Sequence, residues 1–220
     1  MVRYVEKAMQ DIMRCYTGGQ PAQLLLTSKI ENTVRDKLML SLNDIFQRKH
    51  INYIVTREWK RFDLAVFNNN DFNNAARNGK PYPVLIMELK AMYSFDPMLS
   101  YKYLIKELKK DICKFKKTIE KDKNTELLLI LLGHHILDNV SDNSGIIKYS
   151  DLIQRSFKVF NNEANILSEC KNNLVRILKN EKIGVIIDYK RINGGTGFFD
   201  IRADLLYWII KPDLNLDCND

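Results

Sequence analysis

Two apolar runs in this chain carry ionisable residues where they are costly. Residues 61–67 read RFDLAVF and hold Asp63; residues 83–92 read PVLIMELKAM and hold Glu88 and Lys90. Both read as buried strands, and a buried charge is unfavourable unless it is paired or bound to a metal. An acid on one strand with Glu-x-Lys on the next is the set needed to hold a divalent cation beside a phosphodiester. Mg²⁺ takes hard oxygen ligands from one or two carboxylates and keeps water and substrate phosphate in its other positions. The ion polarises the phosphoryl oxygen and lowers the pKa of a bound water. A nearby ammonium can orient that water or stabilise the oxyanion. Desolvation and the metal would lower the pKa of Lys90, whereas Asp63 and Glu88 would raise it, and the sequence leaves that balance open.

Strand geometry says which side chains can meet. Side chains alternate along a strand, so Phe62, Leu64 and Val66 face one way and Asp63 the other. On the second run Leu85, Met87 and Leu89 share one face, with Glu88 and Lys90 opposite. If the two strands are neighbours, two carboxylates and one ammonium converge. The chain contains its own comparison: Asp188-Tyr189-Lys190 follows the apolar run IGVII with the same spacing. There the strand runs directly into a basic turn and no partner acid precedes it, so a solvated strand end is expected.

The elements that position these residues follow from hydrophobic periodicity. Val5, Met9, Ile12 and Tyr16 form a helical stripe over 2–16, which TGGQP at 17–21 interrupts. A second helix is predicted from about Ser28 to Gln47, with Ile30, Val34, Leu38, Leu42 and Ile45 inward; Ser28 and Glu31 have capping-box spacing. Strands are expected over 51–59 and 61–67, then a long Asn-rich loop over 68–82 and the strand holding Glu88. Asp96-Pro97 turns the chain into a helix over 99–121, with Leu104, Leu108, Ile112, Phe115 and Ile119 inward. TELLLILLGHHI (125–136) reads as a central strand, 138–145 as a loop, and 150–180 as helical with a poorly defined part near 161–165. A strand over 183–192, a turn NGGTG at 193–197 and a return strand over 198–210 complete the pattern. The fold class is α/β, a central mixed β-sheet flanked by helices, in a single domain over 1–220.

Composition narrows the partners. The net charge of +7 favours a polyanion, although a chain rich in Lys, Asn and Ile becomes basic for compositional reasons too. No apolar run is long enough to span a bilayer, and the N-terminus lacks the apolar core of a signal peptide, so a cytoplasmic protein with no membrane partner is expected. Cys15, Cys113, Cys170 and Cys218 are scattered, and His50, His134 and His135 lack ligand spacing; plain thiols and no zinc site are expected.

The order helix, RFDLAVF, loop, PVLIMELK, helix, strand resembles the PD-(D/E)XK nuclease superfamily, of restriction-endonuclease-like fold, over roughly residues 28–136. Its hard motif is only three residues wide. The resemblance implies that Asp63 and Glu88 hold Mg²⁺ (with Mn²⁺ able to substitute), that the backbone carbonyl of Leu89 is a further ligand, and that Lys90 serves the water. Phe62 stands where some members have proline. Many members add an acid on the preceding helix, and Glu31 is the candidate; as half of a capping box it would only start a helix. Arg57, Lys60 and Arg61 lie just before Asp63, placed to meet a DNA backbone. Lys190 and Arg191 flank flexible glycines that could enter a groove or simply form a hairpin. The helix over 99–121 carries many lysines, mostly expected as a solvated face.

The expected activity is therefore Mg²⁺-dependent hydrolysis of double-stranded DNA, resembling a small type II restriction endonuclease, with a homodimer implied by that resemblance. Three alternatives stand: a repair, recombination or mobile-element nuclease selecting structure rather than sequence; a DNA-binding or interaction module without catalysis; and, less favoured for want of an aromatic platform motif, an RNA-directed nuclease.

Overall fold

The computed structural model describes residues 1–14, 19–28, 30–71, 81–119, 124–141 and 145–218. Cys15, Tyr16 and most of the Asn-rich loop lie outside them. In chain order the elements are α1 (Val2–Arg14), α2 (Gln20–Thr27), α3 (Glu31–Arg48), β1 (Tyr53–Arg57), a 3₁₀ turn (Trp59–Arg61), β2 (Leu64–Asn68), β3 (Leu85–Tyr93), α4 (Asp96–Leu99), α5 (Tyr101–Thr118), β4 (Glu126–Ile136), α6 (Ser150–Phe160), α7 (Glu163–Asn180), β5 (Gly184–Thr196), a second 3₁₀ turn (Phe198–Asp200) and β6 (Arg202–Pro212). The six strands form one mixed sheet in the order β1-β2-β3-β4-β6-β5. Only β3 and β4 are parallel, joined by the crossover helix α5; the other pairs are antiparallel. The molecule is thus mixed α/β with helices on both faces of the sheet.

The central strands are apolar throughout because both of their faces are covered. On β4, Leu128, Ile130 and Leu132 pack with α1, α2 and α3, whereas Leu127, Leu129 and Leu131 pack with α5 and α7. β6 divides the same way, Leu205, Tyr207 and Ile209 against Leu206, Trp208 and Ile210. Glu88 and Lys90 share the parity of Ile86 and Met92, so they project toward the α5 layer.

Four local expectations are corrected. The segment after residue 19 is helical: Gly19 adopts φ 77° and Pro21 enters the first turn of α2, where its fixed φ and missing N–H are tolerated. Ser28 and Glu31 form no capping box: the Ser28 hydroxyl donates to Leu24 O at 3.2 Å and closes α2, and Ile30 precedes α3 with no side-chain cap. NGGTG is no hairpin turn, since β5 runs on to Thr196 with irregular register beyond Asn193, and the reversal comes at the second 3₁₀ turn. Glycine serves close approach there: a Cβ on Gly194 would lie 2.2 Å from Ala203 O. Lastly, Cys113 and Cys218 are not plain thiols. They form a disulfide across 105 residues with Cα atoms 5.6 Å apart, and among the described residues only Cys170 is free, and buried. The break within 150–180 falls at Asn161 (φ 68°), and the Asn162 side chain caps α7 by accepting from Asn165 N–H at 2.9 Å.

Candidate functional site

The pairing of β2 with β3 carries the site. Their register is Leu64↔Met87, Ala65↔Ile86 and Val66↔Leu85, and extending it one step places Asp63 opposite Glu88. Pairing stops there, and β3 continues past the end of β2. The exposed edge of β3 is then capped by acids in succession: Asp63 Oδ2 accepts Leu89 N–H at 2.8 Å, Glu31 Oε2 accepts Ala91 N–H at 3.0 Å, and Asp96 Oδ2 accepts Tyr93 N–H at 2.8 Å. N–H and C=O of one strand residue point to the same edge, so the Leu89 carbonyl lies on the Asp63 side. Glu31 therefore faces the sheet.

Asp63 is held from both sides. Phe62 before it is fully buried against α5, and Leu64 after it is fully buried against the opposite layer. The loop leading in is strained, with Glu58, Lys60 and Arg61 at φ 56°, 48° and 69°. Such conformations cost about 1–3 kcal/mol each and persist only where the surroundings enforce them. Here Trp59 stacks on Phe62 at 6.3 Å, and Glu58 N–H donates to Asp63 O at 3.1 Å. Arg35, one helical turn beyond Glu31 on α3, lies 3.4 Å from Glu58 and 3.9 Å from Asp63.

Glu88 is 2% exposed, and the register of β2 with β3, carried one step further, sets Asp63 beside it. Burial, the adjacent Asp63 carboxyl and the charge of Asp111 push its pKa up from 4.5 to about 8, against the opposing ammonium of Lys114. A carboxyl so placed keeps its proton at neutral pH unless a cation takes its place. Lys90 lies 3.0 Å from Asp111 on α5. Burial alone would lower its pKa, but Asp111, Glu88 and Glu31 outweigh that and the net shift is upward, so Lys90 is an ammonium at neutral pH. In the metal-free protein the balance falls on the charged side, and Lys90 acts as an electrostatic partner of the acids.

α5 supplies two groups that the sequence reading did not single out. Asp111 is 5% exposed among the inward residues Leu104, Leu108 and Phe115, and a carboxylate on an apolar stripe was a legible signal. Lys114 contacts Glu88 Oε1, donates to Arg61 O at 3.0 Å, and sits 4.3 Å from the Phe62 ring centroid. Nothing distinguished it from its neighbouring lysines before the tertiary contact was known.

The basic residues divide. Arg57 pairs with Asp36 at 3.0 Å and Lys60 lies over the Trp59 and Tyr82 rings at 4.7 and 5.6 Å, so these two side chains are engaged by groups other than Asp63. Lys190 and Arg191 are not brought to the site. They lie on β5, at the edge of the sheet beyond β4 and β6, where Arg191 pairs with Asp204 and Lys190 lies 4.0 Å from Asp188.

Among the described residues, no group of three or more His, Cys, Asp or Glu side chains is disposed to hold a metal ion. The oxygen set at the β2–β3 opening is smaller: the Asp63 and Glu88 carboxylates and the Leu89 carbonyl. These are oxygen types that Mg²⁺ accepts, since it binds through one or two carboxylates and water, and a divalent cation there would displace the proton of Glu88. Beside them a cavity of about 370 Å³ opens along the free edge of β3, lined in part by Glu31, Lys90, Tyr93 and Asp96. No helix among the described residues is long and apolar enough to cross a membrane. No family model, no curated protein and no solved structure matches the chain.

Proposed function

We propose that the protein is a Mg²⁺-dependent endonuclease that hydrolyses DNA phosphodiester bonds. The observation that carries this reading is the meeting of the Asp63 and Glu88 carboxyls beside the Lys90 ammonium, where β3 outruns β2. This matches the acid, acid and lysine of the PD-(D/E)XK nucleases that the two motifs resemble. Asp63, Glu88 and the Leu89 carbonyl would hold the cation. When bound, it supplies a polarised phosphoryl oxygen and a more acidic water.

The chain's own groups do the rest. Lys90, kept charged by Asp111, stabilises negative charge developing on the attacked phosphate and orients the entering water. Glu31 and Asp63 tie α3 and the strained loop to the β3 edge and so fix the width of the opening. Arg57, Lys60 and Arg61, on the strand end and loop that lead into Asp63, would attract the backbone of double-stranded DNA. The reading extends to a type II restriction activity and a homodimer cutting two strands, while the Cys113–Cys218 disulfide weighs against the cytoplasmic setting expected from the sequence.

A second reading has its own observation. Lys114 already neutralises Glu88 in part, as it would in a DNA-binding module that has no need of a metal. Plasmid DNA incubated with Mg²⁺ or Mn²⁺ separates the two. Cleavage by the wild type and its loss in Asp63→Ala and Lys90→Ala support the nuclease. DNA binding without cleavage under either ion favours the module.

A further inference from the structure

The cavity beside Lys90 has chemistry unlike that of a phosphate site. Glu31, Asp96 and Glu107 line it, so a second phosphate inside would be repelled. Its other wall residues include Tyr93, Tyr103 and Tyr149, from β3, the start of α5 and the start of α6. Tyr103 and Tyr149 are 67% and 50% exposed, leaving ring surface free for a ligand. Tyr149 is held at φ 60°, ψ 30°, a conformation unfavourable for a bulky residue. Its ring meets that of Tyr93 edge-on at 5.4 Å, and Tyr93 stacks on Phe95 at 5.2 Å. At about 370 Å³ the space sits at the small end of ligand cavities.

We infer that this cavity receives one unpaired nucleobase bearing an exocyclic amine, from the strand being cut. The inference rests on the reading of Asp63, Glu88 and Lys90 as the phosphodiester site. A base provides a flat π-face for the tyrosines and an amine N–H for the Glu107 carboxylate, while its own phosphate lies at the mouth, where Lys90 lines the cavity. A basic peptide would also satisfy the carboxylates, but the net charge of +7 opposes its approach. The substrate class that follows is DNA with a base already out of the stack, at a single-stranded end, a junction or a mismatch.

The test uses the full chain with EDTA, so that nothing is cut, and fluorescein-labelled oligo(dC) and oligo(dT) followed by anisotropy. Cytosine and thymine have similar rings, and only cytosine carries the amine. Tighter binding of oligo(dC) is expected. Tyr149→Ala and the more exposed Tyr103→Ala should each weaken it about 5- to 150-fold, the range for loss of one aromatic stacking partner. Glu107→Gln should narrow the difference between the two oligomers. Equal or preferred binding of oligo(dT), unchanged affinity in both tyrosine variants, or no binding of either strand overturns the inference. The preference in a protein that cuts nothing with Mg²⁺ or Mn²⁺ leaves the pocket standing and removes only the nuclease. Cleavage without the preference does the reverse.

Discussion

Glu88 offers the sharpest test of the site, because its environment has a thermodynamic signature that needs no substrate. In the folded, metal-free protein its pKa is raised from 4.5 to about 8 by burial and by the carboxyls of Asp63 and Asp111. A carboxyl with a raised folded-state pKa binds its proton more tightly in the native state than in the unfolded chain. Between pH 4.5 and about 8 the native state thus holds more protons, and stability must fall as pH rises through that window. At about 1.4 kcal/mol per pH unit, the interval sets a ceiling of about 5 kcal/mol on the loss. Glu88→Gln keeps the shape and cannot ionise. Urea unfolding of the wild type and Glu88→Gln with EDTA, at pH 5 and pH 8.5, isolates the effect as the difference between the two proteins. The variant should be the less pH-sensitive of the two by a few kcal/mol. Added Mg²⁺ should restore wild-type stability at pH 8.5 and leave Glu88→Gln nearly unmoved. A wild type that shows no greater loss than the variant between those pH values would refute the buried, protonated Glu88, and with it the reason for placing a cation there.

Other expectations follow from the same contacts. Lys90→Met should lower plasmid cleavage by at least about 100-fold with little change in DNA affinity, read from single-turnover rates and gel shifts. Lys114→Met removes the cation at Glu88 and should raise the Glu88 pKa further, but because the carboxyl can then keep its proton the extra loss of stability at pH 8.5 in the metal-free protein should be no more than about 1 kcal/mol, and it should vanish in the double variant with Glu88→Gln; equal loss in both denies the pairing. Cys218→Ser should cost about 2–4 kcal/mol under oxidising conditions and nothing with dithiothreitol, measured by urea unfolding. Gly133→Ala would place a methyl 2.7 Å from the Trp208 ring and should destabilise by about 1–3 kcal/mol, seen as a lowered thermal midpoint with unchanged DNA binding.

Strand and helix periodicity made most of the fold legible. Alternation placed Asp63 and Glu88 on matching faces before any pairing was known, but it failed at Phe62, which was grouped with Leu64 and Val66 and instead packs in the α5 layer because β2 begins only at Leu64; the apolar run over 125–136 lies at the centre of the sheet. Local chemistry misled where close approach overrode turn preference. The glycines at 194 and 195 read as a hairpin but serve an irregular stretch of β5. Ser28 and Glu31 have capping-box spacing, yet Ser28 closes one helix and Glu31 reaches a strand 60 residues away. Sequence distance hides such contacts, because a side chain's partner depends on which elements pack together.

The order of the strands, the two-sided burial of the central ones and the acidic and basic residues at 63, 88 and 90 were determined by the sequence, since each depends only on the local period of the chain, whereas helix α2 was not. Tertiary structure alone decided the protonation of Glu88, the charge on Lys90, the entry of Asp111 and Lys114, the remoteness of Lys190 and Arg191, and the link between Cys113 and Cys218. Those are properties of distance and desolvation between residues far apart in the chain, and neither quantity exists until the layers close around the sheet.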